Sequence, residues 1–165
     1  TVYWSKDSIR DRQDLMKKVR ASSSMPGLML PTMIDDELYV DGAIGTSGGI
    51  PLAAAMADGY ENFVVVMTRP RSYRKAAPSR PQFYHRYFRE YPTVARALTE
   101  RWMHYNRTRD QLFKLERQGR AWLYFPEKMM VSNHEKMVAK LRANYRAGEL
   151  QIERMLPDLK RFLEL

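Results

Sequence analysis

The chain has no cysteine, which excludes disulfides and thiolate metal sites and allows a reducing compartment without demonstrating one. Long apolar runs are missing too. The strongly apolar stretch Phe63 to Met67 is far shorter than the roughly 20 residues a membrane-spanning helix needs. No basic and apolar signal segment opens the chain, and Thr1 is not an initiator methionine, so the start reads as an internal boundary rather than a natural beginning. Histidine is scarce. His85, His104 and His134 share no metal-ligand spacing and each lies among surface-like residues, so neither a metal nor a cofactor is expected.

What is present describes a globular chain. At 165 residues, 44% hydrophobic and 28% charged, it has the size and composition of about one domain. The net charge of +9 is unevenly spread. Residues 1–50 carry six basic side chains against seven acidic, residues 51–80 five against two, and residues 81–165 seventeen against ten. A basic C-terminal half suits anionic lipid head groups or nucleic acid. It also suits solvated helix faces, because Asp110 with Lys114 and Glu116 with Arg120 stand at the i,i+4 spacing of surface ion pairs.

Periodicity predicts a mixed α/β part followed by a helical tail. Ser8 with Asp11 resembles a capping box, and Ile9, Leu15, Met16 and Val19 give an apolar face, predicting a helix over about 8–20. Met33-Ile34, Asp35-Asp36 and Glu37 to Val40 read as strand, turn and strand. Pro51 opens and Gly59 closes a short helix, and Asn62 to Thr68 reads as a strand buried on both faces. Strand, helix and strand with short links predict one βαβ unit. Arg69 to Pro81, with its prolines and basic residues, predicts an exposed loop. Val94, Leu98, Trp102, Tyr105 and Leu112 predict a helix over about 93–118 ended by Gly119, and Ala121 to Phe125 a further strand. Ser132 with Glu135 makes another capping-box pattern for a helix that Gly148 should stop, with Pro157 kinking a last apolar stripe or opening a second short helix.

Candidate chemistry is concentrated early. Asp41-Gly42-Ala43 follows the strand Leu38 to Val40 and sets a carboxylate at a strand's carboxyl end, where open α/β sheets place ligands. An Asp-Gly turn also occurs at strand ends without any function. Gly45 to Gly49 matches G-x-S-x-G, yet Ser47 stands neither directly after a strand nor directly before a helix, as a nucleophile elbow requires. Asp35, Asp36 and Glu37 could attract a cation, although acidic residues favour turns for backbone reasons. The interleaved tyrosines and arginines from Tyr73 to Tyr91 fit nucleic-acid or membrane surfaces and fit an amphipathic helix equally.

Four segments in order carry a resemblance: Ala21 to Pro26, Tyr39 to Ala43, Ile50 to Ala55 and Val64 to Pro70. Together they resemble the C-terminal half of a bacterial patatin-like phospholipase. Leu115 to Gly119 and Phe125 to Lys128 resemble a C-terminal extension found in one bacterial branch. The resemblance implies an incomplete patatin-like α/β/α sandwich over residues 1–70, a basic Pro-rich loop over 71–82 and a mainly helical extension over 83–165. It implies a Ser–Asp dyad hydrolase of phospholipid or other lipid esters, with Asp41 as the dyad aspartate and Gly42 and Ala43 completing the motif. The family's glycine-rich oxyanion loop and its serine elbow lie N-terminal to every segment seen here, so the chain alone is expected to be inactive. Gly49-Ile50-Pro51 stands where the family often has Asn-x-Pro. The implied setting is cytoplasmic with peripheral contact to anionic membrane, no nucleic acid, and either a homo-oligomer or an N-terminal segment completing the sheet. The alternative from the residues alone is a non-catalytic basic helical module that binds nucleic acid or a protein.

Overall fold

Both Asp35 and Asp36 adopt positive φ, 49° and 63°, the left-handed geometry that Asp tolerates and that a two-residue hairpin turn requires. The computed structural model, which describes residues 1–132 and 135–164, accordingly turns β1 (Thr32–Ile34) back on β2 (Glu37–Tyr39) as an antiparallel pair. Upstream lies α1 (Arg12–Ser22); downstream come α2 (Leu52–Ala57), β3 (Phe63–Val66), α3 (Pro81–Tyr87), α4 (Pro92–Arg117), β4 (Ala121–Tyr124) and α5 (Val138–Phe162). The fold is mixed α/β with a helical C-terminal part.

The chain forms two compact units, each made of two segments. One comprises Thr1–Ala57 and Lys75–Arg109, and the other Asp58–Arg74 and Asp110–Leu165. In the first, Ala21, Ile34, Ile50, Leu52 and Ala95 are buried, together with Ser24 and Thr32, which hydrogen-bond each other at 3.0 Å. In the second, β3 and β4 pair in parallel with Phe63 opposite Ala121 and Val66 opposite Tyr124. Phe63, Met67, Leu112, Leu115, Ala121, Leu123, Tyr124 and Phe125 are its buried apolar side chains, with Gln151 buried beside them.

This pairing corrects the βαβ expectation. The strand before α2 and the strand after it do not pair; among the described residues they belong to separate two-stranded sheets. The turn at Asp35-Asp36 commits β2 to β1, and β3 finds its parallel partner only beyond α3 and α4. Nor is β3 covered on both faces. Phe63 is buried, while Val66 is 68% exposed. Its continuous apolar run therefore reports a half-covered strand.

Several boundaries move for local reasons. Helix α1 is capped by Asp11, whose side chain accepts the Asp14 N–H, and Ser8 sits in a preceding 3-10 turn. Before α5, the Glu135 carboxylate accepts the Lys136 and Met137 N–H groups at 3.0 Å each, and the helix begins at Val138. Gly148 and Pro157 both lie inside α5. Pro157 lacks the N–H that the Glu153 carbonyl would accept, a cost of about 3 kcal/mol in a helix interior. The helix continues because its buried face is held. The Gln151 Oε1 accepts from Tyr124 Oη at 3.2 Å and from the Glu127 N–H at 3.1 Å, and its Nε2 donates to the Phe125 carbonyl at 2.7 Å. Gly59 and Gly119, by contrast, do end α2 and α4, with φ of 88° and 73°.

Candidate functional site

Ser24 anchors the aspartate turn from behind. Its hydroxyl donates to the Arg20 carbonyl at the end of α1, and its own carbonyl accepts the Asp41 N–H at 2.9 Å. Ser24 is fully buried, so the backbone of Asp41 is tied to a residue inside its unit's core. Two residues beyond β2, Asp41 then opens a 3-10 turn over Gly42–Ile44. Its Oδ1 accepts the Ala43 N–H at 2.8 Å, and among the described residues no other hydrogen bond reaches that carboxylate. A short side chain held by the backbone two residues on is an Asx turn. It fixes one oxygen and leaves the other for a donor from outside.

Helix α4 braces the turn from the other side. Arg101 Nε donates to the Ala43 carbonyl at 2.9 Å, and Thr108 Oγ1 shares its one proton between the Ser47 carbonyl at 3.2 Å and the His104 carbonyl at 3.0 Å. Between these contacts the glycine-rich link lies directly on the helix. A Cβ added to Gly48 would stand 2.4 Å from the Tyr105 nitrogen, and Gly48 has φ +65°. Only glycine meets both conditions. Arg101, Thr108 and Tyr105 are the residues that sequence reasoning did not connect to the motif. Arg101 lies 58 residues from Ala43, and no local spacing signals such a contact.

Asp41, Gly42 and Ala43 line an open cleft of about 770 Å³ in the first unit. Ser47, Glu100 and His104 line it too. Ser47 occupies the turn between Gly45 and Gly49, and its Oγ accepts the Gly49 N–H at 3.3 Å. It follows no strand directly and precedes α2 by several residues, which is not an elbow geometry. His104 Nε2 is 3.8 Å from Glu100 Oε2 on the same helix, as i,i+4 neighbours are. His85 is exposed on α3; His134 lies outside the described residues. Asp35 pairs with Arg10 at 2.9 Å, and Glu37 accepts the Tyr39 hydroxyl proton at 2.8 Å. That bond raises the Tyr39 pKa, because an ionised phenol could not donate to the carboxylate. Among the described residues no three His, Asp or Glu side chains converge as a metal site.

The arrangement can present one oriented carboxylate to a group entering the cleft. It can accept a proton from that group and return it.

A family model described as "Domain of unknown function (DUF6363)" matches residues 91–164, which take in all of α4, β4 and α5. No curated protein and no solved structure matches the chain.

Proposed function

We propose that this chain is the C-terminal portion of a patatin-like serine acyl hydrolase of phospholipid or other lipid esters, to whose Ser–Asp dyad it contributes Asp41. The observation that carries the reading is the fixing of Asp41 just past a strand end, at the wall of an open cleft. In such a dyad the carboxylate takes the serine proton as the hydroxyl attacks the acyl carbonyl, and then delivers it to the leaving alcohol. The serine and the oxyanion donors are supplied by a segment outside residues 1–165. The Asx turn supports the role because it immobilises the carboxylate while leaving one oxygen for the serine hydroxyl.

The test is made on the complete protein. Asp41→Asn keeps the side chain's shape and removes the base, and should lower aryl-ester hydrolysis by about 10²-fold or more. Ser47→Ala should leave most activity, and a fluorophosphonate probe should label a serine outside these residues. Unchanged turnover in the Asn variant, or labelling of Ser47, would refute the assignment.

A second reading, a non-catalytic basic helical module, draws on a separate observation: the first turns of α5 are exposed and carry both basic and apolar side chains.

A further inference from the structure

The amino-terminal third of α5 stands clear of the core of its unit. From Met137 to Tyr145 only Asn144 is even half-buried. Val138, Leu141 and Tyr145 are 59%, 44% and 72% exposed. At 3.6 residues per turn they fall within about 60° of one another, one apolar stripe on one face. The same helical geometry sets Arg142 and Arg146 beside the stripe on one side, and Lys140 about 100° beyond its other edge. Between Lys136 and Gly148 the chain has four basic residues and no acidic one. Lys140 reaches back to Glu135 at 3.4 Å, and Arg146 forward to Glu149 at 2.5 Å. Arg142 has no ion-pair partner among the described residues.

The occupant of this face follows from its chemistry. A second copy would set the same net positive face, Arg142 included, against itself, which opposes pairing through the stripe. A nucleic acid would satisfy the charges but leave the aliphatic side chains with nothing to bury into. An anionic bilayer surface takes both. Val138 and Leu141 enter the boundary between head groups and acyl chains, Tyr145 sits at that level with its hydroxyl in water, Arg142 and Arg146 extend to the phosphates, and Lys140 adds positive charge from further round the helix. We propose that the first turns of α5 are a peripheral membrane contact selective for anionic phospholipid. The inference stands independently of the role given to Asp41.

Vesicle flotation of the full chain tests it, with vesicles of phosphatidylcholine alone and of phosphatidylcholine containing phosphatidylglycerol. The chain should float only with the phosphatidylglycerol vesicles, and added salt should release it. Losing one basic residue at such a surface lowers partitioning by about fivefold, so the double variant Lys140→Glu with Arg142→Glu should bind well over tenfold more weakly. Leu141→Ser with Tyr145→Ser should weaken binding at unchanged charge. All four side chains are exposed, so both variants should keep the parent's circular dichroism. Equal binding to both vesicle types, no binding to either, or variants that bind like the parent would overturn the proposal. So would preferential binding of a single-stranded oligonucleotide, or a dimer seen by light scattering that the Leu141 and Tyr145 changes dissolve.

Discussion

Asp14 illustrates how much one carboxylate can organise. It is almost completely buried on α1, yet it accepts the Arg10 N–H at 2.9 Å, Arg10 Nη2 at 3.2 Å and Lys18 Nζ at 2.8 Å. Lys18, itself buried, also donates to the Ser8 carbonyl. Lys18's hydrogen bond, followed by those from Arg10, holds the Asp14 carboxyl far below the usual carboxylate range. A depressed folded-state pKa means the stabilisation is fully present at neutral pH. It is lost as pH falls through the usual carboxylate range toward the lower folded value. Urea unfolding of the parent should therefore show a midpoint that drops steeply between about pH 5 and pH 2. Asp14→Asn should start lower at neutral pH and show a shallower acid limb. An unaltered acid limb in that variant would assign the effect to other carboxylates.

Among the elements, α5 depends on Gln151. That side chain satisfies the Tyr124 hydroxyl, the Glu127 N–H and the Phe125 carbonyl together. Gln151→Leu keeps the volume and strands the Tyr124 hydroxyl and the Phe125 carbonyl, each unsatisfied buried group costing about 1–3 kcal/mol. Chemical denaturation should register a loss of at least about 2 kcal/mol, with Tyr124→Phe giving a smaller one. What the sequence made legible divides along the same line of local against distant. The hairpin at Asp35-Asp36, the span of α4, its end at Gly119 and the strand at Ala121 are local signals, and they appear where periodicity and turn chemistry put them. The continuation of α5 through Gly148 and Pro157 was not legible, because it depends on Gln151 and Tyr124, 27 residues apart. The pairing of β3 was hidden for the same reason: an apolar run does not name its partner. At the candidate site, Asp41 and its Asx turn belong to a three-residue motif that can be read directly. The Ser24 anchor and the Arg101 brace come from contacts between separate elements.

For the whole molecule, two small sheets stand where the resemblance implies a larger one. Among the described residues β3 pairs only with β4, and its Val64 and Val66 side chains are exposed. An apolar strand with an open edge is a template for another chain. Light scattering on residues 1–165 should give a mass above the monomer that grows with concentration, and Val66→Lys should lower it. A monomer at every concentration would show that the open edge is protected. The register of that sheet also carries a consequence in time. Phe63 pairs with Ala121, 58 residues later. A ribosome adding about 5–20 residues per second needs roughly 3–12 s to make that stretch. Throughout that interval the most apolar segment of the nascent protein has left the site of synthesis with no strand to meet it.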